Sequence, residues 1–327
     1  MTVTETRPGT GAPMAPVPGR HHRRGGWRTR LTRFDLRYTP YVFIAPFFVI
    51  FGVFAAYPLL YTGWISFHKW AIIEGDQGWT GLHNYQLLFQ DSYFWNALLN
   101  TTLLLVFGTG VQLLLALWLA GILNRKLSGS AVWRAGVVLP HIVSVVAVSL
   151  VFAQLYGFHT GIINDVLSLA GIDRIDWQAS RWTAIPAVST IIIWRWAGYY
   201  ALIFLAAMQG VPRELHEAAM LDGASNRRIF WSITVPSIRP TIIFSVVMST
   251  IGAMQTFTEP QLFDTQGTEG TGGSDRQFQT LMMYLYEKGF REFNAGYAAT
   301  LAWVMFLLIA VLSGINYALS RRIASKD

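Results

Sequence analysis

An all-α integral membrane protein with six transmembrane helices is the fold class this sequence predicts, and three observations carry it. The chain is 53% hydrophobic but only 13% charged, with a mean hydropathy of +0.37, too apolar for an ordinary soluble domain. Its apolar residues collect in six long runs, each able to supply the roughly 20 residues that cross a bilayer core. Its Lys and Arg residues partition unequally between the two sets of connecting segments.

Residues 1–38 open with Pro, Gly and Thr and then turn strongly basic through Arg20, Arg23, Arg24, Arg28, Arg30, Arg33 and Arg37, which reads as a disordered basic cytoplasmic tail. The Arg23-Arg24 pair is not taken as an export signal, because five more apolar runs follow the first. A membrane domain then fills residues 39–327. The stretch from Tyr38 to His68 carries no charge, nor does Ser92 to Asn124 or Ala135 to Asn164. The spans are placed at about 41–66, 96–123, 133–157, 183–209, 241–263 and 295–319, with Pro140 kinking the third near its start. Only Arg195 interrupts the fourth.

With the amino terminus inside, 18 basic residues fall in inside segments, 6 in outside segments, and Arg195 within the membrane. Cytoplasmic loops retain Lys and Arg, so both termini and the segment 210–240 are placed in the cytoplasm. Outside lie Trp70, Trp79, Tyr85, Tyr93, Trp95, Tyr284 and Tyr286, read as anchors at the membrane edge. The glycine cluster Gly270 to Gly273 reads as a flexible turn and not a phosphate cradle, because no Gly-Lys-Ser or Gly-Lys-Thr opens a helix after it.

The polar island between spans four and five organises the chain. Glu214 to Leu221 is predicted as a short helix, Gly223 as the turn that ends it, and Ala224 to Ile233 as a second helix, before Pro236 and Pro240 stop and restart the backbone. Glu217, Ala218, Ala219, Gly223, Ile233 and Pro236, with Asp222 beside the glycine, fall in the register Glu-Ala-Ala, three residues, Gly, nine residues, Ile, one residue, Leu-Pro. Val235 stands where that signature has leucine. The stretch resembles the cytoplasmic loop of ATP-binding-cassette importer permeases. Gly81-Leu82-His83-Asn84-Tyr85 with Phe94-Trp95, Gly198-Tyr199-Tyr200 through Val211 to Leu215, and Phe257-Thr258-Glu259-Pro260 are similar to the carbohydrate branch of that family.

The resemblance implies the six-helix type I importer fold in a bacterial plasma membrane. It also implies a second homologous permease, two copies of an ATPase that dock on the Glu217 loop, and an extracytoplasmic sugar-binding protein. ATP and Mg would be used by the ATPase. No cofactor is expected in this chain, which has no Gly-Lys dipeptide for a nucleotide-binding loop, no Gly-x-Ser-x-Gly elbow and no His-Glu-x-x-His pair. With no cysteine and no ligand-spaced histidines, no metal site is expected. A secondary transporter would show repeated, broken halves, of which no convincing trace is visible. A non-sugar solute is the other alternative.

Ionisable and amide groups inside spans mark pathways or braces. Arg195 lies 14 residues in from Gln209, roughly 21 Å at the helix rise, and Gln255 lies 15 residues beyond Pro240, roughly 22 Å. Arg195 is read as a structural charge that Glu259 neutralises. Trp194, Trp196, Tyr199, Tyr200, Gln255 and Glu259 supply the aromatic faces and planar polar groups that a sugar path needs. Asn100 and Gln154 are weaker candidates, since amides in membrane helices often bond across to a neighbour; His141 is read as packing.

Overall fold

The computed structural model describes residues 26–125, 128–265 and 270–324, with the backbone alone for 26–38 and 319–324. The chain divides into two units, 1–59 and 60–327. In the first unit one helix, Gly26–Phe51, runs from the basic segment into the first apolar run. Residues 26–38 are therefore helical rather than a disordered tail, because Arg and Leu are good helix formers and extend a helix already nucleated by the apolar run. Residues 1–25 of the expected tail lie outside the described residues.

Among the described residues four helices are long and apolar enough to span a membrane singly: Thr39–Ile65, Ser92–Leu123, Arg181–Gln209 and Ala295–Ala318, here spans one, two, four and six. Two bent pairs raise the possible number to six. Span three is Ser130–Ile142 followed by Val145–Leu155, bent by 87°. Pro140 was expected to kink it, yet the helix runs through Pro140 and breaks at Val143 and Ser144, both extended. Span five is Arg239–Met254, set at 69° to the short helical stretch Asn226–Ser237 that leads into it.

Span five is shorter than the expected 241–263. Its helix stops at Met254, and a separate turn of helix, Thr258–Phe263, follows. Pro260 explains the break, since proline has no N–H for the Thr256 carbonyl and its ring would clash with it. That carbonyl accepts from the Thr280 hydroxyl instead, at 2.7 Å. The architecture is also not purely helical: His68–Ala71 and Gly75–Trp79 form a small antiparallel hairpin, and Ala71 bridges to Asn294.

Span four is the hub of the second unit. Ala116, Ala120 and Leu123 of span two pack on its Tyr200, Ala201, Phe204 and Leu205, and Leu104 with Val148 and Ala153 pack on its Ile185, Val188 and Ile191. Small side chains let the backbones approach, as in other membrane helix pairs. Gly198 is the extreme case: a Cβ there would sit 1.7 Å from the Val137 carbonyl oxygen, so only glycine lets span three cross. Met254, Leu281, Tyr284, Tyr297 and Leu301 form a third core around span six.

Candidate functional site

The expected path residues lie beside a cavity of about 310 Å³ between spans two, four and five. Gln255, Glu259, Tyr200 and Trp196 line it. Trp194 and Tyr199 do not. Trp194 stacks near Phe152 at 5.6 Å on the outer face of span four, and Tyr199 stacks on His141 at 4.8 Å. Residues 194, 196, 199 and 200 follow the 3.6-residue period, so one cavity cannot take all four.

Arg195 donates through Nη1 to Glu259 Oε1 at 2.5 Å, and both side chains are buried. The pair bridges span four to the short helix after span five. Its Nε has no partner. Gln255 differs: it caps the end of span five, is exposed, and makes no side-chain hydrogen bond among the described residues. An amide held there can donate and accept at once.

Thr109, Gln112 and Ser249 also line the cavity, and sequence reasoning passed over them. Gln112 is an amide inside an uncharged run, the same signal that picked out Gln255. Its position follows from the π-helical turn Leu105–Gly110, an extra residue per turn that rotates what comes after it. Asn100 and Gln154 lie elsewhere. Asn100 is fully buried, donating to the Arg276 and Gln279 carbonyls and accepting from Arg181 Nε; Gln154 donates to Thr160.

The loop candidates form a separate and exposed group. Helix Arg213–Leu221 carries Glu217, Ala218 and Ala219 and ends at Asp222. Gly223 follows at φ +77°, the left-handed region in which glycine alone is unstrained. The Ser225 hydroxyl then caps the next helix by accepting from the Arg228 N–H at 3.4 Å. Ile233 lies in a π-helical turn, Phe230–Thr234, and Pro236 in the last turn before the bend at Ile238. The second helix was expected from Ala224; it begins at Asn226 because Ser225 is the cap. His216 ties the two arms, with Nε2 3.2 Å from the Thr234 hydroxyl.

The family described as "Binding-protein-dependent transport system inner membrane component" matches residues 112–325, which include both the cavity and the loop. The chain belongs to this family. Among its relatives, the lactose transport system permease protein of Rhizobium radiobacter is 34% identical over 287 residues, 86% of this chain and 93% of that one. The arabinooligosaccharides transport system permease protein of Halalkalibacterium halodurans is 31% identical over 84% of this chain and 85% of that one. A chain of a bacterial ABC transporter involved in the import of the acidic polysaccharide alginate has the same fold. Its TM-score is 0.76 at 24% identity, covering 90% of this chain and 99% of that one. The chain is thus an inner membrane transport component of the ABC permease type.

Proposed function

We propose that this permease forms half of the translocation path of an ATP-driven importer for a sugar or oligosaccharide, working with a second permease, two ATPase subunits and an extracytoplasmic binding protein. Kinship carries the substrate class: the chain aligns over more than four-fifths of its length with permeases named for lactose and arabinooligosaccharides. The cavity is consistent with it, offering the rings of Trp196 and Tyr200 with the amides of Gln112 and Gln255.

In this reading ATP, with Mg, binds only to the ATPase subunits. Their closure moves the docked loop, and the spans shift between inward and outward access. Glu217, Ala218, Ala219, Asp222, Gly223, Ile233 and Pro236 form the coupling element. Leu221, 89% exposed, with Leu215 and Met220, supplies apolar surface for the ATPase groove. Trp196, Tyr200, Gln255 and Glu259 line the path, and Arg195 holds Glu259.

Co-expression with the ATPase and partner permease, followed by purification and uptake of radiolabelled oligosaccharide into proteoliposomes, tests the function. Failure to co-purify, or ATP-independent uptake, would exclude it. Orientation is tested separately, since the chain has no cysteine. A cysteine at the exposed Asp275 should react with an impermeant thiol reagent from outside the cell, and one at the exposed Asn226 should not. The reverse pattern would invert the topology.

A further inference from the structure

A second cavity, of about 900 Å³, lies where the last turns of span two meet the polar loop. Leu114, Leu117, Trp118, Gly121, Ile122 and Arg125 line it from one side. They recur at i, i+3, i+4, i+7, i+8 and i+11, which is one face of one helix. Leu114 and Trp118 are strongly exposed, and the apolar stripe ends at Arg125, two residues beyond the helix terminus at Leu123.

Phe230 and Trp231 form the opposite wall, and Arg227 adds a second cation. Among the described residues no acidic side chain lines the cavity. It therefore pairs a long apolar wall with two arginines, one just beyond the end of span two and one on the loop. That distribution matches a bilayer lipid better than a soluble anion, which has no use for the wall, or an apolar peptide, which has no use for the charges. Basic pockets between membrane helices take acidic headgroups by this logic.

We propose that this cavity binds an anionic glycerophospholipid, with an acyl chain along Leu114, Leu117 and Trp118 and its phosphate between Arg125 and Arg227. The bound lipid touches both span two and the loop. These already meet closely at Gly121, where a Cβ would lie 3.0 Å from the Phe230 ring. A lipid wedged beside that contact stiffens the attachment of the loop to the spans. The choice of leaflet rests on the orientation proposed above; the site itself does not.

The test uses the full chain purified in neutral detergent and supplied with equal amounts of dioleoyl phosphatidylglycerol and dioleoyl phosphatidylcholine. Native mass spectrometry reads which lipid stays bound. Preferential retention of phosphatidylglycerol is expected, weakened about five-fold for each arginine removed in Arg125→Gln and Arg227→Gln. The Arg125→Lys, Arg227→Lys double variant should recover most of it, which separates lost charge from lost fold.

Equal retention of both lipids, or a preference unaltered in the double glutamine variant, would overturn the proposal. So would a benzophenone attached at Leu117→Cys in the assembled transporter that cross-links to protein instead of lipid. Since lipid retention is read on the chain alone, failure of an ATPase to co-purify would count against the proposed function and leave this site standing.

Discussion

The segment from Asp264 to Tyr297, between spans five and six, and the loop from Gly210 to Ile238 both interrupt the spans, but their described polar side chains are used differently. Between spans five and six the described groups turn inward. Arg276, itself at φ +58°, makes two 2.6 Å bonds to Glu287, and Gln279 donates to the same carboxylate at 2.7 Å. The Arg276 carbonyl accepts from Asn96 and Asn100, far back in the sequence on span two. Asp91 accepts from the hydroxyls of Tyr284 and Tyr297. In the loop, by contrast, Glu214, Glu217, Asp222, Arg213, Arg227 and Arg228 are all exposed, and so are Leu215, Met220 and Leu221. One segment is stitched to its own chain. The other holds a shape and presents a surface.

If that contrast is right, damage to the segment between spans five and six should unfold the protein, and damage to the loop should disconnect it. The largest effect is expected from Glu287→Ala, which strands a largely buried guanidinium. Breaking a buried pair from one side costs about 3–5 kcal/mol. The bonds to Glu287 also hold the Arg276 proton more firmly than usual. Folded yield and thermal midpoint in detergent should both fall steeply; a loss below about 1 kcal/mol would mean that the stitching is decorative.

Next comes Gly223→Val, which forces a β-branched residue to φ +77°. The left-handed conformation costs roughly 1–2 kcal/mol, enough to re-form the turn in another geometry. Because the turn is exposed, with open space where a Cβ would go, the thermal midpoint should barely move. Substrate-stimulated ATP hydrolysis in the assembled transporter should drop about tenfold or more, with Gly223→Asn milder because asparagine tolerates this region. A coupled Gly223→Val transporter would remove the loop from the mechanism.

Asp91→Asn sharpens the contrast at a smaller scale, about 1–3 kcal/mol for hydrogen bonds to a charged group. Burial alone would raise the Asp91 pKa, but the Tyr284 and Tyr297 hydroxyls, the Tyr93 N–H and the Lys288 charge outweigh it and hold the carboxyl below its usual range. A depressed carboxyl pKa stabilises the fold above the unfolded value of about 3.9, and that stability is lost as pH falls through the folded value. Wild type and Asp91→Asn should therefore differ most near neutrality and converge in acid. A constant gap across pH would show that the charge is not what matters.

Much of the fold was legible because a span announces itself by the absence of charge, and the loop by residue spacing. What stayed hidden depends on pairing across the sequence. Nothing local marks Tyr284 as buried: it was read as an interfacial anchor, and it becomes a core residue because Asp91 and Tyr297 are brought to its hydroxyl. The break in span five was visible only in part. The expected span ran through Pro260 to residue 263, although proline withholds the N–H that the Thr256 carbonyl, four residues earlier, would need; what the sequence does not show is the Thr280 hydroxyl that takes the freed carbonyl. In the cavity, the aromatic cluster of span four was found as a group, and only its helical phase separates Trp196 and Tyr200 from Trp194 and Tyr199. Phase is fixed by which face meets span two, where Ala116 and Ala120 admit Tyr200 and Ala201.

The smallest effect expected is at Gln255, and it decides whether the cavity carries the solute. Glu259 and Gln255 both line it, but Arg195 occupies the carboxylate, whereas the amide of Gln255 has no intramolecular claim on it. A free amide at a wet cavity wall can be removed without leaving a buried partner unpaired, so Gln255→Ala should leave assembly, thermal midpoint and basal ATP hydrolysis unchanged. Losing one hydrogen bond to a sugar hydroxyl, about 0.5–1.5 kcal/mol, should weaken transport roughly two- to tenfold. Arg195→Lys should do the opposite, keeping the charge but losing the planar fork that meets Glu259, and so lowering stability whatever solute is offered. If Gln255→Ala transports with unaltered rate and apparent affinity while Arg195→Lys alters the choice of solute, the two roles are exchanged. The ion pair, not the free amide, would then be the group that reads the substrate.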